Sequence, residues 1–303
     1  MHFLQEYVIK ELNWQPSKLK YAYEELQKDY RSKQKIGYSN LDQVQSYVFT
    51  RFPATYGVCL KLIKQYFSTI SINSILDWGC GIGTASLAIG SLFEKMEYYL
   101  IEQDEFAKNY AVQFLKYFFP NNTVLFDMPK AVDLSVFSYS LGEVESWQII
   151  LDQIWEKTDY LLIIEPGTTL HFQRLLQVRD YMLSKDAYLW GPCCHNDTCP
   201  IVKNDWCHFG LNIERSKAHR LLKGASRSFE QEAYSYLLFA KTQRAADLGR
   251  VIANPRIHGG HVDLKVCGRN GKIFNKIVSR SMCDYKDFKK IQWGDSLKDK
   301  FNE

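Results

Sequence analysis

One string constrains this 303-residue chain more than any other: Ile75-Leu76-Asp77-Trp78-Gly79-Cys80-Gly81-Ile82-Gly83-Thr84. A short apolar run ends near an aspartate, three glycines follow at alternate positions, and a helical stretch opens at Thr84. Glycines there let the backbone turn tightly and approach a ligand closely, because no Cβ intervenes. Strand-like apolar runs recur at 98–101, 123–126, 134–138 and 160–164. Helical stretches lie between and after them, at 84–93, 106–119, 145–155 and 170–183. Continuous apolar strands joined by helices predict a parallel sheet covered on both faces.

About twenty residues past the loop, Glu102 ends the second strand, where a carboxylate can accept from both hydroxyls of a ribose. Asp127 ends the third strand and could meet an adenine amino group. A nicotinamide enzyme more often carries G-x-G-x-x-G. The D-x-G-x-G-x-G form resembles class I S-adenosylmethionine (SAM) methyltransferases, a Rossmann-like α/β fold with a seven-stranded sheet. That resemblance implies a SAM pocket made by Asp77, Gly79, Gly81, Gly83, Glu102, Asp127 and Ser138. A nicotinamide cofactor and an empty pocket are the alternatives, and Cys80 reads as a small filler.

Methyl transfer asks an enzyme mainly to align nucleophile, methyl carbon and leaving sulfur, and sometimes to remove a proton. Phe137-Ser138-Tyr139-Ser140-Leu141-Gly142-Glu143 follows the fourth strand, where such enzymes place substrate-facing groups. It is not the Asp/Asn-Pro-Pro-Tyr/Phe of exocyclic-amine methylases, so it assigns no acceptor. Tyr139 and Glu143 are the candidate catalytic residues, with helix capping the plainer role for Glu143. In Glu165-Pro166-Gly167-Thr168, Thr168 is expected to cap a helix, and Glu165 either faces the pocket or does not.

The chain is expected to divide into a helical arm (1–45), a SAM-binding core (46–190), and a cysteine-rich, basic part (191–303) that completes the sheet. Residues 1–35 read as helical with an interruption at 12–16, and 47–67 as one helix with Pro53 in a first turn. The charged stretch 19–30 fits a packing or lid helix better than a basic arm on RNA. Residues 1–190 carry 18 Lys and Arg against 22 Asp and Glu, whereas 191–303 carry 20 against 12. At 46% hydrophobic residues the composition is that of a folded protein. No apolar run approaches the ~18 residues of a membrane span, and the first residues have no signal-peptide pattern.

Six of the eight cysteines lie after Trp190. In a reducing compartment they are more often metal ligands or buried thiols than disulfides. Cys193, Cys199 and Cys207 share one polar loop, with Cys267 sixty residues further on. Four thiolates can hold a [4Fe-4S] cluster or a Zn²⁺ ion, and the loose spacing leaves both open. Cys194 and Cys283 read as bystanders, with Cys283 a fallback for Cys267, and His195 and His208 as loop-ordering groups. Pro192-Cys193 is also the dipeptide of pyrimidine-C5 methylases, but it stands past the wrong strand.

The ordered strings resemble one family, the small-ribosomal-subunit assembly methyltransferases of mitochondria and their bacterial relatives. The matching pieces are Arg51-Phe52-Pro53-Ala54-Thr55-Tyr56, the glycine loop, Ser138 to Glu143, Glu165 to Thr168, and Pro192-Cys193 with His195. Cys199-Pro200, Trp206-Cys207-His208-Phe209, Arg250-Val251-Ile252 with Pro255, and Val266-Cys267 before Gly271 complete them. The resemblance implies a [4Fe-4S] cluster on Cys193, Cys199, Cys207 and Cys267, with Zn²⁺ as the alternative. It also implies binding to small-subunit rRNA and ribosomal proteins, without a membrane partner or homo-oligomer. The place would be the mitochondrial matrix in a eukaryote and the cytoplasm in a bacterium. Two other readings are a non-catalytic assembly factor and a zinc-braced small-molecule methyltransferase. Independently, 215–256 is rich in basic residues, and Arg215, Lys217, Arg220, Lys223, Arg250 and Arg256 are the candidate RNA contacts.

Overall fold

The computed structural model describes residues 3–12, 15–32, 37–202, 205–245 and 247–297. It divides into two compact units, Met1–Ser140 with Leu211–Glu232, and Leu141–Gly210 with Ala233–Glu303.

The first unit opens with α1 (Phe3–Glu11), α2 (Pro16–Ser32), α3 (Leu41–Thr50) and α4 (Phe52–Phe67). The expected break between the first two helices is present, although Asn13 and Trp14 lie outside the described residues. The single helix expected over 47–67 is two. Asn40 caps α3 by accepting from Gln43 N, and Pro53 sits in the first turn of α4, where its missing N–H costs nothing. Then come β1 (Ser74–Trp78), α5 (Thr84–Gly90), β2 (Glu97–Ile101), α6 (Glu105–Phe118), β3 (Thr123–Leu125) and β4 (Val132–Ser138). β1 pairs in parallel with β2 on one side and β4 on the other, and β2 with β3. Ile75, Leu76, Leu134 and Val136 are fully buried, as strands covered on both faces require.

The second unit holds α7 (Trp147–Trp155), β5 (Thr158–Pro166), α8 (Thr169–Leu183) and β6 (Tyr188–Gly191). After β7 (Phe209–Glu214) and α9 (Lys217–Lys223) comes β8 (Phe229–Ala240), whose residues from Ala233 belong to this unit. β8 runs antiparallel between β5 and β6. The strands of the first unit pair in parallel and alternate with helices, which is a Rossmann-like α/β arrangement.

A second sheet follows, made of β9 (Gly249–Val251), β10 (Arg256–Ile257), β11 (His261–Gly268), β12 (Ile273–Ser279) and β13 (Ser296–Leu297), with α10 (Tyr285–Phe288) against it. The hairpin anticipated at 262–278 is there, as β11 and β12, but it does not complete the main sheet. The reason lies in its pattern. Val262, Leu264 and Val266 are buried and alternate with partly exposed neighbours, which suits a sheet with one covered face. That face packs with Val251, Val278, Phe288 and Leu297 in a core of its own. Among the described residues, no helix is long and apolar enough to cross a membrane.

Candidate functional site

The glycine loop after β1 is left-handed at all three glycines, with φ of 69° at Gly79, 52° at Gly81 and 79° at Gly83. The N–H groups of Gly79 and Cys80 donate to Ile101 O at 2.8 and 3.2 Å, tying the turn to the end of β2. The glycines have different tasks. A Cβ on Gly79 would lie 2.6 Å from Ser140 Cβ, and one on Gly83 would lie 3.1 Å from Ala111 Cβ. A Cβ on Gly81 would meet nothing within 4 Å. The outer two permit internal packing, while the middle one leaves an open backbone face.

Glu102 stands at that face. Its Oε2 accepts from Gly81 N at 2.7 Å and its Oε1 from Asp104 N at 2.9 Å. Asp77 is fully buried and holds the first turn of α5, with Oδ2 accepting from Ser86 Oγ at 2.7 Å and Ser86 N at 3.2 Å. Its Oδ1 is buried without a hydrogen-bond partner, and burial pushes its carboxyl up to about 6. Asp127 is exposed beyond β3, and Ser138 is half-buried, its Oγ 3.4 Å from Cys59 Sγ. Cys80 is 6% exposed, consistent with a filler.

At the end of β4, Tyr139 adopts φ 60°, a left-handed conformation that costs a non-glycine residue about 1–2 kcal/mol. Its hydroxyl donates to Glu232 Oε1 at 3.2 Å, and the same carboxylate takes both terminal nitrogens of Arg51 at 3.0 Å. Burial and the Glu232 charge hold the phenol well above its usual range. Sequence reasoning missed this triad because 181 positions separate Arg51 from Glu232; the Arg51 string itself was the available signal.

In the second unit, Glu143 is exposed on a short 3₁₀ turn. Glu165, 1% exposed, accepts from Gly142 N at 3.0 Å and lies 3.8 Å from His171 Nε2. Burial pushes its carboxyl up to about 7. Thr168 caps α8, accepting from His171 N.

The same unit brings four distant cysteines together. Cys193, Cys199, Cys207 and Cys267 line one cavity, floored by apolar side chains of α8 and β8 such as Leu175 and Leu237. Cys207 is raised well above the ordinary thiol range, by burial first and then by the other three thiols. Burial also pushes Cys267 up to about 12. Among the described residues, no three of these sulfurs fall within 4.8 Å of one another. Cys194 is 7% exposed with its Sγ toward Pro192 O, and Cys283 is exposed elsewhere.

Two buried arginines shape the loop. Arg179 Nη2 donates to His195 O at 3.0 Å and Asp197 O at 2.8 Å. Arg250 Nε donates to Pro192 O at 2.9 Å and Nη1 to Gly294 O at 3.1 Å. Ser235 Oγ donates to Cys207 O, and Trp206 Nε1 to Gly167 O, both at 2.8 Å. His195 Nε2 lies 3.5 Å from Cys267 Sγ, while the His208 ring stacks on Trp206 at 5.0 Å.

These contacts correct part of the basic surface. Arg250 is 1% exposed and committed to backbone carbonyls, so it is a strut of the cysteine loop and not an RNA contact. Arg215 and Lys223 both bind Glu230, at 2.7 and 2.9 Å, with little side-chain exposure. Arg220 is half-buried; Lys217 and Arg256 are exposed.

A family model described as mitochondrial small ribosomal subunit Rsm22 matches residues 41–298. No curated protein matches the chain. Among solved structures, it is similar to a SAM-dependent methyltransferase from Aquifex aeolicus, at 15% identity over 64% of this chain and 95% of that one, TM-score 0.40. Precorrin-6y C5,15-methyltransferase from Geobacter metallireducens gives 13% identity over 62% and 87%, TM-score 0.42. TYW2 from M. jannaschii, in complex with AdoMet, gives 14% over 61% and 77%, TM-score 0.35.

Proposed function

The chain belongs to the Rsm22 family of the mitochondrial small ribosomal subunit, and on that premise we propose that it binds SAM and methylates RNA of that subunit. The observation that carries the SAM reading is the open backbone face at Gly81, with the Glu102 carboxylate bonded to it. A ribose would bring two hydroxyls to Glu102. The sulfonium supplies the activation. As the acceptor nucleophile bonds to the methyl carbon, the carbon–sulfur bond breaks, S-adenosylhomocysteine leaves and the acceptor gives up a proton. The chain's contribution is alignment.

The second unit is read as the holder of a [4Fe-4S] cluster on Cys193, Cys199, Cys207 and Cys267. Four thiols and an apolar floor match the donor set and dry surroundings of such a cluster. Their spread supports it over one zinc ion, whose tetrahedron at ~2.3 Å bonds needs sulfurs about 3.8 Å apart. Mitochondrial matrix in a eukaryote and cytoplasm in a bacterium follow from this reading.

Transfer of labelled methyl from SAM to small-subunit RNA tests the activity. No transfer while SAM demonstrably binds would leave the second reading, a SAM-binding assembly factor without turnover. The Tyr139 hydroxyl, committed to Glu232, favours that alternative.

A further inference from the structure

The geometry points to a metal site that the glycine loop and the cysteines do not account for: a divalent transition-metal ion held by His258, His261 and Asp263 at the tip of the β10–β11 hairpin. The tip is His258-Gly259-Gly260-His261, closed by His258 N–H donating to His261 O at 2.9 Å. Two glycines in a two-residue hairpin turn set the flanking residues side by side. The His258 and His261 rings stack accordingly, with centroids 4.4 Å apart and planes 14° apart. Asp263 lies two residues beyond His261 on β11, so its side chain emerges on the same face of the strand.

The distances suit coordination once the rings turn out of their stack to aim both Nε2 lone pairs at one ion. His258 Nε2 is 3.2 Å from Asp263 Oδ2, and His261 Nε2 is 3.4 Å from Asp263 Oδ1. An ion bonded at about 2.1 Å separates neighbouring ligand atoms by roughly 3.0 Å in an octahedron and 3.4 Å in a tetrahedron. Charge-assisted hydrogen bonds are shorter, near 2.8 Å. Asp263 Oδ1 is buried and makes no hydrogen bond, its neighbour being the His261 ring at 3.4 Å. One ligand atom from each residue lies within 4.8 Å of the others. Side-chain exposures of 45% at His258, 42% at His261 and 37% at Asp263 leave the cluster open to solvent.

Two imidazoles and a carboxylate select Zn²⁺, Ni²⁺ or Cu²⁺ over Ca²⁺ and Mg²⁺, which favour oxygen ligands throughout. They also differ from the thiolates of the second unit, so the two centres would differ in the metal they prefer.

The test is a zinc titration by calorimetry at neutral pH, on protein carrying whatever metal its cysteines hold. Wild type should take up one equivalent more than the His258→Ala/His261→Ala double variant, whose cysteine-bound metal content should match wild type. Asp263→Asn should weaken that equivalent at least about tenfold. Binding should weaken on acidification, because metal and proton compete for the same nitrogens. Co²⁺ in place of Zn²⁺ should add d–d bands without a new thiolate charge-transfer band, and the double variant should lack them. Equal stoichiometry and affinity in wild type and both variants would overturn the site, leaving ordinary imidazole–carboxylate contacts. Circular dichroism checks that the variants fold, and the hairpin tip is exposed enough for the substitutions to remain local.

Discussion

The glycine loop and the cysteine loop are made in opposite ways. The first is a backbone device. Asp77 to Gly83 is one continuous turn, anchored to the neighbouring strand by two N–H groups, and its working surface is an absence of side chains at Gly81. The second is a side-chain device. Cys193, Cys199 and Cys207 come from one irregular loop and Cys267 from β11, and buried arginines hold the loop by its carbonyls. A turn tolerates little change in φ but needs few partners. A converging loop tolerates sequence drift between its ligands but depends on distant supports.

That contrast can be broken in several places. The largest effect is expected at the cysteines. Cys207→Ser or Cys267→Ser should abolish metal binding and remove on the order of 5 kcal/mol or more from the second unit. Metal analysis and thermal unfolding measure this, and unchanged metal content in both would disprove the ligand set. Calorimetry with SAM on the same variants should show the glycine loop unaffected.

Arg250→Ala comes next, because it leaves Asp247 and several carbonyls without their buried partner, at a cost of about 3 kcal/mol. Denaturant unfolding should show it. The salt dependence of RNA binding should stay the same, whereas Arg256→Glu or Lys217→Glu should lower that slope by about one or more each. A change of slope in Arg250→Ala at unchanged stability would restore it as an RNA contact.

In the first unit, Glu102→Ala should weaken SAM binding by about 1.5–3 kcal/mol, some tenfold to a hundredfold, with stability little changed. Equal affinity would show that the carboxylate serves only the Gly81 turn.

The smallest effect is a pH dependence. Glu165 titrates near 7 when folded and near 4.5 when unfolded, so the folded state binds the extra proton between those values. Its contribution, about 3 kcal/mol at most, is full below pH 4.5 and is lost as pH rises through 7. Asp77 behaves likewise between about 3.8 and 6. Glu165→Gln should flatten the fall in stability across pH 5–7; an unaltered profile would show that Glu165 ionises as if exposed.

The same contrast explains what could be read from residues alone. β1, the glycine turn and the strand–helix alternation were legible because hydrophobic period and turn chemistry are local. The cysteines were legible through their chemical identity, although the loop has no regular structure to read. The second sheet was harder: its hairpin was visible, but its partners β9, β10 and β13 are only two or three residues long. Arg250 misled because charge counts record no burial, and a guanidinium bonded to carbonyls looks in sequence like one meant for phosphate. The Arg51–Glu232–Tyr139 triad has no local pattern at all.

The long gap between Cys207 and Cys267 also sets an order of events during synthesis. Sixty residues separate them, which is roughly 3–12 s of translation at ~5–20 residues per second. For that interval the nascent chain carries Cys193, Cys199 and Cys207 without Cys267. A centre on all four thiols would therefore close only after β11 has been made, with β12 and β13 still to follow.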